Sequence, residues 1–513
     1  MSRIAIIKIH PGLNMAVPQL SGDLIRAGHK TRMFFFKTYK FENEYMDSAQ
    51  LINRTDDVPP AIDIDYGEDY EALAARLEAF RPDALGLSVI SLSVPEAIKT
   101  TAFLRDRFDV PILWGGVGTT LEPEIAIKHA DLVCVGEGEE VMVEFADRLQ
   151  AKLDWKDIGG TWTHAEDGTV IKNPKRDIQD LDEIAIPDWD HAKMVYITEE
   201  KVIAGHQAFQ FVTAGDYQIM TQRGCPFSCS FCVESRYQEM FGKKKSLRRL
   251  NIDVVLEELR SAKERYSPGV IWFWDDVFTL NPRWLNEFLP RYKEEIGIPF
   301  WCYTYPTTHK LELLLQLKEA GGNCISMGIQ SGSERILQEV YNRPTPLGRV
   351  IEASQEIVEA GIVGYFDLIS NSSFETEEDL RSTFNFLIDL PQEMIYLGAG
   401  DMKSYPTYSY TRSEESQLAT NVLATTVGLS KATYDYYHNL YYVARHPFLD
   451  REEKVRIGAE HMFRENPELL SEHIYAQTSF EDGLRQMRQA TVTGIHPYSY
   501  YPMPAFDQAK AYG

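Results

Sequence analysis

The chain has 513 residues, of which 44% are hydrophobic and 12% aromatic, so a large core is available. This length predicts two to four domains, at roughly 100–200 residues per domain. The net charge of −24 argues against a nonspecific nucleic-acid binder, which needs basic patches to meet phosphates.

Residues 1–150 alternate short apolar runs with amphipathic segments. Strands are predicted at 4–9, 84–89, 111–114 and 131–135, and helices at 19–27, 69–80, 95–108, 121–129 and 139–149. This alternation predicts a doubly wound parallel α/β sheet. The first run is too short and interrupted for a signal peptide, and no apolar run reaches about 18 residues, so no membrane span is expected.

Small residues follow three of the predicted strands. These loops carry Ser88 and Ser91, then Gly115, Gly116 and Val117, and then Gly136 and Glu137. Ligands of such sheets bind beyond the carboxyl ends of the strands, and glycines let a backbone approach a ligand closely. The loops are therefore a candidate ligand site, with ordinary turns as the alternative. No G-x-G-x-x-G opens a helix after the first strand, which argues against a nicotinamide cofactor.

Residues 151–205 are interpreted as a linker. The polar part, 155–175, contains Gly159, Gly160 and Gly168 and is consistent with a small hairpin. Pro187 breaks any helix in the part that follows. No residue pattern in this stretch indicates a catalytic or binding role, so it is interpreted as a segment that packs against the domains.

Three of the six cysteines, Cys225, Cys229 and Cys232, are spaced C-x3-C-x2-C. Zinc usually takes four ligands, whereas iron–sulfur clusters are held by thiolates in short runs. Three thiolates on a four-iron cluster leave one iron open to a substrate or cosubstrate. A zinc loop with a distant His, or unrelated cysteines, is the alternative. Clustered cysteines without a secretory signal suit a cytoplasmic protein.

Residues 206–405 alternate strands and helices again. Strands are predicted at 270–274, 300–305, 323–328 and 362–369, and helices at 251–266, 284–292, 310–320, 346–360 and 376–390. About six βα units are consistent with a partial (β/α)6 barrel, whose sites sit at the carboxyl ends of its strands. Cys134, Cys302 and Cys324 lie in predicted strands and are interpreted as buried structural thiols.

Polar residues follow the barrel strands. Asp275 and Asp276 end one strand, and paired carboxylates are costly there unless they bind something cationic. The alternative is that one of the two aspartates caps a helix and the other is an ordinary surface acid. Residues 406–513 form a mostly helical, tyrosine-rich region with helices predicted at 430–445 and 450–464. Its tyrosines are interpreted as core or interface, with a lid over the substrate as the alternative.

The cysteine stretch 223–232 resembles the signature of the radical S-adenosylmethionine (SAM) enzymes. Residues 1–150 resemble the cobalamin-binding domain that precedes many radical SAM domains, through 81–88, Gly115-Gly116 and 136–139. The Asp-x-His-x-x-Gly sequence that supplies a cobalt ligand in some cobalamin proteins is absent, so the resemblance implies cobalamin held without that His. A domain that has lost the cofactor is the alternative.

This resemblance implies roles for the candidate residues. Cys225, Cys229 and Cys232 would hold a 4Fe–4S cluster, and the loops after the N-terminal strands would bind cobalamin. The SAM-binding residues would be Phe231, Asp275, Asp276, Gln330, Ser331 and Arg343. Relatives usually carry a Gly-Leu-Pro-Gly-Glu-Thr-like loop where this chain has 370–376, so Asn371, Ser372 and Ser373 are candidate substrate-side residues.

The activity implied is methylation of an unactivated carbon, using methylcobalamin and a 5′-deoxyadenosyl radical from SAM. A radical SAM cyclase or oxidative rearrangement enzyme, as in the anaerobic magnesium-protoporphyrin ester cyclases, is the first alternative, and a cobalamin or iron–sulfur sensor is the non-enzyme alternative. An electron donor such as flavodoxin or ferredoxin is expected as a partner. The sequence does not identify the substrate, which could be a peptide or protein side chain or a small molecule.

Overall fold

A computed structural model describes residues 1–9, 15–36, 67–198, 201–213, 216–370, 372, 374–392, 394–401, 429–445 and 449–465. The described residues up to 268 form one compact unit, and those from 269 onward form a second. In these described ranges, no helix is both long and apolar enough to cross a membrane. The domain boundaries taken from the sequence, at 150, 205 and 405, stay predictions.

The first unit contains twelve strands among its described residues. They are β1 (Arg3–Ile9), β2 (Lys30–Phe36), β3 (Ala84–Ser88), β4 (Ile112–Gly115), β5 (Leu132–Cys134), β6 (Thr161–His164), β7 (Val170–Lys172), β8 (Met194–Thr198), β9 (Lys201–Ala204), β10 (Tyr217–Ile219), β11 (Gln222–Arg223) and β12 (Arg248–Arg249).

The helices described in this unit run between those strands. They are α1 (Ala16–Arg26), α2 (Gly67–Phe80), α3 (Val94–Arg105), α4 (Val117–Leu121), α5 (Pro123–Ala126), α6 (Glu139–Ala151), α7 (His206–Thr213), α8 (Val233–Phe241), α9 (Lys243–Ser246) and α10 (Ile252–Tyr266).

Nine strands form one sheet in the order β7-β6-β5-β4-β3-β1-β2-β8-β9. The six central strands, β5, β4, β3, β1, β2 and β8, are parallel to one another. The strands β6, β7 and β9 join the sheet antiparallel at its edges. The chain moves from β1 to β2 on one side and later to β3 on the other, so the strand order reverses beside β1. Ligands of doubly wound sheets bind at such a reversal.

Both faces of the central strands are covered, which explains their nearly continuous apolar sequences. On one face Ala5, Ile7 and Ile9 pack into a core that includes Leu73 and Leu77 of α2. On the other face the Met142 side chain of α6 lies against Gly86 of β3. The doubly wound sheet predicted for the N-terminal part is confirmed.

Some local predictions were incomplete. The strand β2 was not predicted, because Lys30 and Arg32 interrupt its apolar pattern, yet it pairs with β1 over its whole length. The helix predicted at 121–129 is divided into α4 and α5, because Pro123 has no N–H to continue the first helix and opens the second instead. The hairpin predicted in 155–175 is present as β6 and β7.

The second unit carries β13 (Ile271–Phe273), β14 (Phe300–Thr304), β15 (Gly322–Gln330), β16 (Val363–Ser370) and β17 (Ile395–Asp401), which are parallel neighbours in that order. Its helices, among the described residues, are α11 (Pro282–Glu295), α12 (Leu311–Ala320), α13 (Leu347–Glu359), α14 (Glu377–Asp389), α15 (Lys431–Ala444), α16 (Arg451–Ala459) and α17 (His461–Glu465). A π-helical turn lies at Ile336–Val340. Parallel strands that alternate with helices form the partial barrel that the sequence predicts.

Aromatic side chains form part of the core of this unit. Phe273, Phe288 and Tyr292 are buried and lie within ring contact of one another. In the C-terminal region, Tyr436 and Tyr441 of α15 are also almost fully buried. This agrees with the interpretation of these tyrosines as core residues.

Candidate active site

The cysteine loop follows β11 and is fixed at its start by a glycine. Gly224 has φ +86°, and a Cβ atom there would lie 2.3 Å from the Ser246 carbonyl oxygen. The backbone therefore requires glycine at this position, both for its conformation and for the close approach of a neighbouring chain segment.

The loop is held from inside by Gln238 of α8. Its side-chain amide donates hydrogen bonds to the carbonyl oxygens of Cys225, at 2.5 Å, and Phe227, at 2.8 Å. Its own carbonyl accepts a hydrogen bond from the Ser228 hydroxyl at 2.7 Å. Three contacts from one buried side chain fix the backbone between the first two cysteines. Sequence reasoning missed Gln238, since nothing in the cysteine spacing points to it.

None of the three cysteines of the loop forms a disulfide bond. Cys225 and Cys229 are buried, whereas Cys232 is half-buried at the start of α8. Within the described ranges, no three His, Cys, Asp or Glu side chains are arranged as a site for one metal ion. In a cluster, by contrast, each thiolate binds a different iron atom. The donor set, three thiols on one short loop, fits a cluster with one open iron.

Two arginines that flank the cysteine loop pair with Glu137, in the loop after β5, and with Glu139, the first residue of α6. Arg223 contacts Glu139 at 2.5 Å and Glu137 at 3.2 Å. Arg248 donates to Glu137 at 3.1 Å. Burial raises the pKa of Glu139, but the ion pair with Arg223 outweighs it and leaves this pKa below its usual range. Glu137, a predicted cobalamin residue, is thus also a partner of both arginines.

The predicted cobalamin loops meet at one edge of the nine-stranded sheet. Ser88 and Gly115 are paired neighbours at the carboxyl ends of β3 and β4. Gly116 has φ +107°, and a Cβ there would lie 2.6 Å from the Val89 carbonyl oxygen. The Thr120 hydroxyl donates to Gly116 O and accepts from the backbone N–H of Gly136, both at 3.0 Å, so it links two of the loops.

Ser91 and Val117 complete this group of predicted residues. Ser91 is buried in a 3-10 turn directly after β3, and Val117 opens α4. Small side chains and glycines thus line the carboxyl edge where the strand order reverses. Such an edge leaves the space that a bulky cofactor needs, so these residues fit cobalamin.

Two of the predicted SAM residues converge in the second unit. The strand β15 has an irregular register between Gly328 and Gln330, and Gln330 has φ +66°. A Cβ at Gly328 would lie 2.2 Å from Gln330 Nε2, so the glutamine side chain folds back over this glycine. The Arg343 guanidinium donates to the Gly328 carbonyl and lies 4.1 Å above the Tyr305 ring.

The remaining predicted SAM residues differ in their surroundings. Asp275 is fully buried and Asp276 is exposed, so the paired carboxylates do not share one environment. The Ser331 hydroxyl lies 3.3 Å from the Thr383 hydroxyl and accepts a bond from the Ser333 N–H, which gives it a structural contact. Phe231 is half-buried within the cysteine loop.

Of the predicted substrate-side residues, Asn371 and Ser373 lie outside the described residues. Ser372 is buried, and its carbonyl accepts a hydrogen bond from the Tyr434 hydroxyl at 2.9 Å. This contact joins the loop to α15. The neighbouring Glu375 is also buried, and burial raises its pKa to about 8.

The other three cysteines agree with their interpretation as structural thiols. Cys134, Cys302 and Cys324 are all buried and free. Burial raises the pKa of Cys134 to about 12 and also raises the pKa values of Cys302 and Cys324. A thiol with a raised pKa is a weak nucleophile at neutral pH.

Comparison with known families matches both halves of this arrangement. Residues 219–387 match the radical SAM superfamily, and residues 53–146 match the B12 binding domain. The chain therefore belongs to the B12-dependent radical SAM enzymes. Its cofactors are a 4Fe–4S cluster, SAM and cobalamin, as the sequence predicted.

The chain is similar both to a methyltransferase and to a cyclase. It is 29% identical over 362 residues to an uncharacterized methyltransferase of Pyrococcus horikoshii, covering 69% of this chain and 74% of the relative. It is 26% identical over 346 residues to the anaerobic magnesium-protoporphyrin IX monomethyl ester cyclase of Rubrivivax gelatinosus, covering 64% of this chain and 58% of the relative.

A solved structure shares the fold. The radical SAM methyltransferase TsrM from Kitasatospora setae, solved with cobalamin and a [4Fe-4S] cluster bound, aligns with a TM-score of 0.62 and 17% identity. The alignment covers 80% of this chain and 77% of TsrM. The predicted fold class, a cobalamin-binding domain followed by a partial barrel and a helical C-terminal region, is confirmed.

Proposed function

We propose that this enzyme methylates an unactivated carbon atom of its substrate. When bound, the cluster supplies the electron that cleaves SAM, and cobalamin carries the methyl group. The observation that carries the proposal is the pairing of Arg223 and Arg248 with Glu137 and Glu139. It ties the cysteine loop to a predicted cobalamin loop within one compact unit. Methyl transfer to a carbon radical needs both cofactors held in a fixed arrangement.

The chain's own residues have distinct tasks in this proposal. Cys225, Cys229 and Cys232 would hold three irons of the cluster and leave the fourth open. Gln330 and Arg343 would bind SAM, and the arginine guanidinium is suited to the SAM carboxylate. The Arg343 side chain is already held over Tyr305, so little conformational entropy is lost when it binds.

The first test concerns SAM cleavage. Reduced, reconstituted enzyme should release 5′-deoxyadenosine, and the triple variant Cys225→Ala, Cys229→Ala, Cys232→Ala should not. Cys324→Ala is a matched control, since its buried thiol is assigned no cluster, and it should retain cleavage. Continued cleavage by the triple variant would refute the assignment of the three ligands.

The second test concerns the product. With methyl-labelled SAM, the label should appear in the product on a carbon atom. An oxidative cyclisation or rearrangement is the second candidate, favoured by the similarity to the Rubrivivax gelatinosus cyclase. A product of changed oxidation state without label would support that candidate instead.

Asn371, Ser372 and Ser373 are proposed to face the substrate. Replacing all three by Ala should change turnover of the substrate and leave SAM cleavage intact. Loss of both would instead indicate that the loop stabilises the barrel, because the Tyr434 hydroxyl bonds to the Ser372 carbonyl and links the loop to α15.

A further inference from the structure

A buried lysine lies at the reversal of strand order in the first unit. Lys8 is near the carboxyl end of β1 and is paired with Phe35 of β2 on one side and Ser88 of β3 on the other. Ser88 is paired in turn with Gly115 of β4. In-register neighbours of a parallel sheet project to the same face. The lysine therefore shares one face, and one row, with these three residues.

Among the described residues, Lys8 has no partner that would offset its burial. Its exposed fraction is 5%, and within the described part of the chain it makes no hydrogen bond and no ion pair. Burial lowers its pKa to about 8. An ammonium group taken out of water without a counter-charge is costly, so proteins rarely keep one without a function.

Two of the residues in the row of Lys8 are small. On the β3 side, the row continues with Ser88, which has a small hydroxyl side chain, and with Gly115, which has no side chain. The same face is covered by α1 and α6, and a Cβ at Gly138, directly before α6, would lie 3.4 Å from the Leu20 side chain of α1. Leu20 is itself only half-buried. A buried cation with small neighbours, at the strand-order reversal, suits an anionic group of a ligand bound at this edge.

We propose that Lys8 pairs with the phosphodiester of the cobalamin nucleotide tail. The side chains of the corrin ring are neutral amides, and the phosphodiester is the fixed anionic group of the cofactor. A charge-assisted hydrogen bond from the lysine to a phosphate oxygen would compensate both buried charges. The inference rests on cobalamin binding by this chain and does not depend on which reaction the enzyme catalyses.

The test compares two corrinoids. Cobinamide has the corrin ring but lacks the nucleotide tail and its phosphate. Dissociation constants of hydroxocobalamin and of cobinamide would be measured by equilibrium dialysis for the wild type, Lys8→Met and Lys128→Met. The last is a control at an exposed lysine of the same unit. We expect Lys8→Met to bind cobalamin at least 10-fold more weakly, while its cobinamide affinity stays within about 2-fold of the wild type.

Several outcomes would overturn the inference. Equal weakening toward both corrinoids would place the lysine against the ring. A changed absorption spectrum of bound hydroxocobalamin in Lys8→Met would place the amine on the cobalt. Unchanged cobalamin affinity would refute any contact. Thermal melting of the apoprotein checks that Lys8→Met folds, and Met should not lower the melting temperature because it removes an unpaired buried charge.

The same measurements separate this inference from the proposed function. Cobalamin binding that depends on Lys8, without methyl transfer to any carbon, would refute only the proposed reaction. Methyl transfer with cobalamin binding indifferent to Lys8 would refute only the role of the lysine. A wild type that binds neither corrinoid would refute both.

Discussion

Replacing Arg223 by Met tests the ion pairs beside the cysteine loop. Arg223 contacts Glu139 at 2.5 Å and Glu137 at 3.2 Å, and the side chains of Arg223 and Glu139 are 22% and 10% exposed. Arg248 also pairs with Glu137. In the variant, Glu137 keeps Arg248 as its cationic partner, while Glu139 loses the arginine that is hydrogen-bonded to it.

The expected destabilisation follows from the burial of Glu139. Removing one partner of a buried ion pair costs roughly 3–5 kcal/mol, because the other charge is left buried and uncompensated. The partial exposure of Arg223 places this pair near the lower end, at about 3 kcal/mol. Arg176→Met is the matched control. Its partners Glu140 and Glu144 are 39% and 28% exposed, so it should cost less than about 1 kcal/mol.

The assay is urea unfolding at two pH values. The pKa of Glu139 lies below its usual range in the folded wild type, so the pair stabilises the wild type above the unfolded pKa and is lost as pH falls through the folded pKa. In Arg223→Met, the buried carboxyl should have a raised pKa and be relieved by protonation. The difference between wild type and variant should therefore be largest at pH 7 and shrink on acidification.

A double variant gives the decisive comparison. Glu139→Gln removes the charge that Arg223→Met leaves unpaired, so the double variant should recover part of the stability lost by Arg223→Met alone. The reasoning would be refuted if Arg223→Met cost no more than Arg176→Met, or if the destabilisation of Arg223→Met were independent of pH and of Glu139.

Three further changes have defined outcomes. Gly224→Ala should lower iron incorporation, measured as iron per chain, because the new Cβ meets the Ser246 carbonyl. Gly242→Ala has a similar φ of +85° with nothing within 4 Å and should keep its iron. Gln238→Leu should fold but lose its cluster faster to a chelator, since the loop loses three hydrogen bonds. Asp367→Asn should raise the urea midpoint at pH 8 and hardly change it at pH 4, because burial raises the pKa of Asp367 to about 7 and ionisation therefore destabilises the fold as pH rises between these values.

The sequence predicted the features that depend on local pattern. Alternating apolar runs and helices gave the doubly wound sheet and the strand-helix order of the barrel. Glycine and serine after the strands marked the edge where Ser88, Gly115 and Gly116 lie together. These predictions succeed because chain direction in a parallel sheet brings every strand end to the same edge.

Contacts between distant residues could not be predicted in this way. Arg223 and Glu139 are 84 positions apart, and Arg248 and Glu137 are 111 apart, so no periodic pattern relates them. Asp275 and Asp276 show the same limit at close range. Adjacent residues point in different directions, and only the fold decides that one is buried and the other exposed.

The ribbon formed by β11 and β12 explains why the two arginines matter together. Gln222 pairs with Arg249 and Arg223 with Arg248, so the segment that carries the cysteines is closed into a loop at its base. Both arginines at this closure pair with the 137–139 loop. Closing a loop removes conformational entropy from the segment between its ends. The carboxylates thus hold the base of the cysteine loop in place, while Gln238 holds the backbone from Cys225 to Phe227.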